Sequence, residues 1–215
     1  MRKIGVYVDA SNIAMNGGYG MRYDALREFA CRAGGEAQRL NAYIAFDDER
    51  AGRDRDYANR TYAYHSVLRS HGYRLSVKKK TKRYTDEEGI VHLKANTDLD
   101  MAVDVLTESD KLDTVLLVTG DGDFARVVTA LQSKGCRVEV LAFDNISREL
   151  REQADTFING YSLPASCPLV WPNQGQAGTL SLGEHWVLES AATVPVTTPK
   201  MDMASSVTMQ KCRTA

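Results

Sequence analysis

Four cysteines, Cys31, Cys136, Cys167 and Cys212, are scattered along the chain with no CxxC pair. That spacing excludes a cysteine-based zinc site and a disulfide framework, and it suits a reducing cytosol. No apolar run approaches the ~20 residues of a membrane span. The amino-terminal MRKIGVYVDAS reaches Asp9 before an apolar stretch long enough for a secretory leader can form. The expectation is a cytoplasmic protein with no membrane partner. An excess of one charge is also lacking. A net charge of −1 gives no global pull toward nucleic acid or membrane, so any basic patch must be local. There is no P-loop, no GxGxxG after the first strand and no Ser-His-Asp constellation.

What is present begins with TVLLVTGDGDF, Thr114 to Phe124. A short apolar run bounded by glycine reads as a strand buried on both faces, the pattern of a parallel sheet. From Phe124 the period becomes helical, with Phe124, Val127, Val128 and Leu131 on one face. Asp121 and Asp123 therefore lie in a glycine turn at a strand's carboxyl end, the edge where open α/β sheets bind ligands. Two carboxylates this close in a confined turn favour a divalent cation. The plainer alternative is that Asp123 caps the following helix.

The length of 215 residues and 43% hydrophobic content favour one domain with a sizeable core and leave room for an appendage. Lys3 to Val8 reads as the first, central strand, ending in Asp9 with Ser11 and Asn12 behind it. Gly17, Gly18 and Gly20 form a candidate flexible lid. A helix over Tyr23 to Ala33 leads to a second strand, Arg39 to Phe46. Asp47, Asp48 and Glu49 follow as either ligands or, more ordinarily, solvated acids. The next helix spans Asp54 to His71. His65 within it reads as packed, and Tyr62 and Tyr64 either stack on bases or belong to the core. Arg53, Arg55 and Arg60 near the start of this helix either meet phosphates or face water. After a third strand, Tyr73 to Val77, comes the most basic stretch, Lys78-Lys79-Lys80-Thr81-Lys82-Arg83-Tyr84. With the return strand Ile90 to Leu93 and then Lys94 it forms a small basic β-hairpin. Such a ribbon grips phosphates, or else is a lysine-rich edge that blocks aggregation.

The helix from Asp98 to Glu108 sets Met101, Ala102 and Val105 on one face. At about 100° per residue Asp98 shares that face, whereas Asp100 and Asp104 lie on another side. A carboxylate there needs a hydrogen bond or a cation, and the helix start favours it. Capping is the alternative for Asp98. A strand over Cys136 to Leu141, a turn at Asp144 to Ser147, a helix over Arg148 to Ala154 with Asn145 or Ser147 as cap, and a last short strand or coil at Phe157 and Ile158 complete the pattern. From about residue 164 Ser, Thr, Ala, Gly, Gln and Pro dominate, so 1–160 is expected to fold and 161–215 to form a poorly ordered tail. His185 to Leu188 is a candidate docking segment there.

Strands alternating with helices predict a three-layer α/β/α sandwich around a mostly parallel sheet. Right-handed crossovers then bring Asp9, Asp98, Asp121 and Asp123 to one rim. Four carboxylates suit Mg²⁺ or Mn²⁺ and phosphodiester hydrolysis.

YVDASNIA near the start, a lysine followed by TDLDMAVDVL, and LLVTGDGDFARVV resemble the NYN domain, most closely its LabA-like bacterial branch within the PIN-like ribonuclease superfamily. The resemblance covers about residues 1–160 and implies a PIN-like sheet, a Mg²⁺ or Mn²⁺ site and endonuclease action on RNA. It implies Asp9, Asp98, Asp121 and Asp123 as metal-binding and catalytic residues, with Asn12 beside Asp9. The segment from Lys78 through Lys79, Lys80, Lys82 and Arg83, with Lys94, fits what that branch carries between its motifs and is the expected grip on single-stranded RNA. A homodimer stays open. Because that branch is linked mostly to regulation, a non-catalytic RNA-binding module is the alternative. A haloacid-dehalogenase-type phosphatase is a third, weakened by Ser11 where its second acid belongs.

Overall fold

In a computed structural model, residues 1–163 are described, apart from 19, 80–81 and 86–90; for 82–85 and 91–94 the backbone alone is described. The elements run β1 (Arg2–Asp9), α1 (Ala10–Met15), α2 (Tyr23–Ala30), β2 (Gly35–Phe46), α3 (Asp48–Arg53), α4 (Arg55–Ser70) and β3 (Arg74–Lys79). They continue with β4 (Lys82–Thr85), β5 (Val91–Lys94), α5 (Thr97–Glu108), β6 (Thr114–Val118), α6 (Ala125–Ser133), β7 (Arg137–Ala142), α7 (Arg148–Gln153) and β8 (Thr156–Asn159).

Six strands form one parallel sheet in the order β3-β2-β1-β6-β7-β8, and β4 and β5 pair antiparallel in a separate ribbon. The topology reverses at β1: the chain winds outward through β2 and β3, then returns to β6 on the other side. Val8 pairs with Val118, so the turns that follow β1 and β6 share one rim.

Alternation along each strand sends side chains to two cores. Ile4, Val6, Val8, Leu116, Val118 and Leu141 pack with Ile13, Leu26 and Leu68 of α1, α2 and α4. Tyr7, Val115, Leu117, Val138 and Val140 pack with Met101 and Val105 of α5, Val128 and Leu131 of α6 and Leu150 of α7. Helices cover both faces, which makes the three layers. A Cβ on Gly5 would come within 2.5 Å of Leu112 and 2.7 Å of the Tyr7 ring, so β1 needs glycine to let that helical layer close. Within the second core the Tyr7 hydroxyl donates to Glu108 at 2.9 Å and the Tyr43 hydroxyl to Asp104 at 2.9 Å. Asp104 and Glu108 therefore face the sheet and satisfy buried phenols.

Several boundaries differ from the sequence-based expectation. A short helix, α1, starts directly after Asp9, where a loop into the glycines was expected. Its six residues are too few to show a period. The helix expected to reach Ala33 ends at Ala30 because Ala33 turns left-handed (φ 59°). The acids 47–49 do not form a solvated loop. Asp47 caps α3 by accepting from Arg50 N, Asp48 pairs with Lys79 at 2.7 Å, and Glu49 pairs with Arg53 at 3.2 Å. In the glycine segment Gly18 is buried with its N–H on Ile13 O at 2.9 Å, and Asp144 N donates to Asn16 O. At the end of the described chain Tyr161 stacks edge-on against Phe143 and Leu163 is buried. The docking segment expected at 185–188 lies outside the described residues. Among those described, no helix is long and apolar enough to cross a membrane.

Candidate active site

Asp9 is the last residue of β1 and the N-cap of α1, with Oδ1 accepting from Asn12 N at 3.0 Å. It is 3% exposed. Burial, opposed in part by the hydrogen bond from Asn12 and reinforced by the charges of Asp98 and Asp121, pushes its carboxyl up to about 6. Those two neighbours arrive independently. Asp98 sits in the first turn of α5, and Asp121 follows β6. The fold has therefore brought Asp9, Asp98 and Asp121 within electrostatic reach of each other.

Asp121, not Asp123, is the capping residue of the glycine turn. Its Oδ1 accepts from Asp123 N at 3.0 Å, while its own N–H donates to the buried Thr119 hydroxyl at 3.2 Å. The alternative that Asp123 caps the helix does not hold, because the chain turns through a short 3-10 segment, Gly122–Phe124, before α6 begins. Asp123 is exposed. It follows Asp121 in the turn, whereas the neighbouring charges that raise Asp9 most are those of Asp98 and Asp121. Asp98 does not cap α5 either, since Asn96 occupies the N-cap position.

Asn12 ties the two strand ends together. Its Oδ1 accepts from Gly120 N at 3.1 Å and from Asn145 Nδ2 at 3.0 Å. On the other side Ser147 N donates to Gly120 O at 3.0 Å, and the Ser147 hydroxyl caps α7. The turn carrying Asp121 is thereby held between α1 and the segment after β7. Sequence reasoning missed Asn145 at this site. Its only signal is its place after a strand on the same rim, which a turn-and-cap assignment explains equally well.

Of the residues expected to grip RNA, Lys78 braces α5. Its Nζ donates to Asp100 at 2.8 and 2.9 Å and to Asn96 O at 3.1 Å, at the start of the helix that presents Asp98. Lys79 is paired with Asp48. Lys80 lies outside the described residues, and Lys82, Arg83 and Lys94 lie on the β4–β5 ribbon, of which only the backbone is described. His65 is buried among Phe46, Tyr62 and Tyr64, and desolvation lowers its pKa. It is a packed histidine.

A cation fits the carboxylates in one respect: a buried carboxylate raised by two neighbouring acids is what a divalent ion relieves. Among the described residues no three of His, Cys, Asp and Glu close into a ready-made shell. An open arrangement suits Mg²⁺, which keeps several waters and takes only one or two carboxylates directly.

The model of the NYN domain matches residues 3–164. The chain belongs to the NYN family. This NYN domain is 27% identical over 168 residues to the "Low amplitude and bright protein LabA" of Synechococcus elongatus, covering 73% of this chain and 83% of that protein. A crystal structure of a protein of unknown function from Vibrio parahaemolyticus superposes with a TM-score of 0.58 at 24% identity. It covers 73% of this chain and 91% of that one, and it supports the fold. NYN domains are nuclease-like, of the PIN-like kind, and usually use divalent metals.

Proposed function

We propose that this NYN domain is a Mg²⁺- or Mn²⁺-dependent endoribonuclease acting in the cytoplasm on single-stranded RNA. The observation that carries the proposal is the buried Asp9 carboxyl, raised by burial and by Asp98 and Asp121. A buried carboxyl raised by two neighbouring acids at a topological switch point costs stability unless it serves a bound cation and its chemistry. Asp9, Asp98 and Asp121 would hold the ion, with Asp123 at the mouth of the turn to order water or substrate. A bound divalent cation supplies charge neutralisation at the scissile phosphate and a more acidic water. Above about pH 6 Asp9 is ionised and ready to bind. Asn12 orients the turn, and Lys78 sets the start of α5. Lys82, Arg83 and Lys94 would meet the RNA backbone, with Lys79 and Lys80 preceding them in the chain.

A phosphatase of the haloacid-dehalogenase type is disfavoured. It needs a second acid two residues after Asp9, whereas Ser11 stands there and its hydroxyl accepts from Ala45 N at 3.1 Å. The alternative is a non-catalytic RNA-binding module that keeps the carboxylates without turnover.

The test incubates the purified protein and Asp121→Asn with labelled single-stranded RNA in Mn²⁺, Mg²⁺ or EDTA. The expected result is metal-dependent cleavage that vanishes in the variant while its circular dichroism is unchanged. RNA bound without products would leave the regulatory module. Equal cleavage by both proteins would identify a contaminating nuclease.

A further inference from the structure

We infer that Asn145 is a positioning residue that locks the Asn12 amide with its oxygen inward, so that Asn12 offers its NH₂ group as a donor to the substrate's phosphodiester oxygen. The assignment rests on the nuclease function proposed above.

The orientation of both amides follows from one backbone group. Gly120 N–H can only donate, so the Asn12 atom 3.1 Å from it is the oxygen. The Asn145 atom 3.0 Å from that same oxygen must then be its nitrogen. A carbonyl oxygen has two lone pairs, and these two donors take both. The backbone of Asn12 is committed as well, its N–H to Asp9 Oδ1 and its carbonyl to Asn16 Nδ2 at 2.6 Å. Only Asn12 Nδ2 has no hydrogen-bond partner among the described residues.

Asn145 bears a cost for this role. With its nitrogen turned to Asn12, its own oxygen is buried and unpartnered, and an orphaned buried acceptor calls for an explanation. That oxygen lies so close to the glycine turn that a Cβ on Gly120 would sit 2.4 Å from it. The oxygen thus fills the space that a side chain at position 120 would need.

Two consequences follow for the chemistry. Asn12 cannot lend Oδ1 to a cation while Gly120 and Asn145 hold it. Its contribution is an N–H donor beside Asp9, in a carboxylate-rich rim that would otherwise repel a phosphate. The ligand is recognised by chemistry alone: an anionic, non-bridging oxygen of a phosphodiester.

The test is a double-mutant cycle of Asn12→Ala, Asn145→Ala and both, measured on labelled single-stranded RNA at saturating Mn²⁺. Asn145→Ala is expected to lower kcat roughly tenfold to a hundredfold through misplacement of Asn12, with the half-saturating Mn²⁺ concentration changed by less than about twofold. The double variant is expected to be no worse than Asn12→Ala, the signature of a residue acting through another. Multiplying losses would overturn the assignment.

A second measurement needs neither turnover nor a folded variant. In ¹⁵N-labelled wild-type protein the Asn145 side-chain NH₂ should resist solvent exchange and that of Asn12 should exchange freely. A short 2′-O-methyl oligonucleotide in Mg²⁺ should then shift the Asn12 pair. The reverse exchange pattern, or no shift on binding, overturns the inference. A wild-type protein that cleaves nothing yet gives this pattern and shift refutes the nuclease and leaves the donor role standing.

Discussion

Replacing Asp9 with asparagine should make the metal-free protein more stable at neutral pH. Asn keeps the shape and the cap, because its oxygen accepts from Asn12 N as the carboxylate does. What it removes is the buried charge. Asp9 rises from the ordinary 3.8 to about 6 in the folded chain. The folded state therefore holds the proton more tightly than the unfolded one, so stability is lost as pH climbs through that window. At pH 7.5 the whole difference is present, about 3 kcal/mol. By pH 4 it falls below about 1 kcal/mol, since Asp9 is then mostly protonated when folded. The new amide NH₂ needs a partner, which returns part of the gain, leaving about 1–3 kcal/mol, or about 2–10 °C in Tm for a domain of this size. The assay is urea unfolding of Asp9→Asn and wild type in EDTA at pH 7.5 and pH 4. Mn²⁺ should then raise the stability of the wild type and do little for the variant. Destabilisation at pH 7.5, or an equal gap at both pH values, would refute the claim that burial and the neighbours Asp98 and Asp121 set the energy of this carboxylate.

Gly120→Ala drives a Cβ to 2.4 Å from Asn145 Oδ1. It should cost about 1–3 kcal/mol by overpacking and reduce cleavage, read by urea midpoint and RNA assay together. Lys78→Ala removes the brace on Asp100 and Asn96. The pair is partly exposed, so unfolding should shift by less than about 1 kcal/mol; the larger effect is expected in the Mn²⁺ concentration needed for activity, through Asp98. Leu117→Ala in the fully buried β6 should cost about 2–5 kcal/mol without changing metal dependence in the protein that remains folded.

The layers, most strands and the rim were legible because they depend on local pattern. Val115 to Val118 ran apolar into glycine, and the strand is buried on both faces as such a run requires. Asp98 shared a face with Met101 and Val105, and α5 packs that face on the sheet toward Asp9. Short elements were not legible: α1 and α3, of six residues each, carry too few positions for a period to show. The basic run gave Lys78 a chemical type and no partner, and its partner proved to be Asp100 in α5.

The sequence by itself determined the order of the longer elements, the alternation that splits β1 between two cores, and the presence of an acid after each central strand. Hydrophobic period and turn chemistry act over a few residues, so they can be read from a few residues. Tertiary structure alone decided which acids act on Asp9, that Asp121 rather than Asp123 caps the turn, and that Asn145 belongs to the site. Asn12 meets Gly120 across 108 residues and Asn145 across 133. Contacts at such separation exist only after the sheet has set β1 beside β6 and β7 beside β6, because the parallel ladder, and no local rule, fixes which strand ends meet.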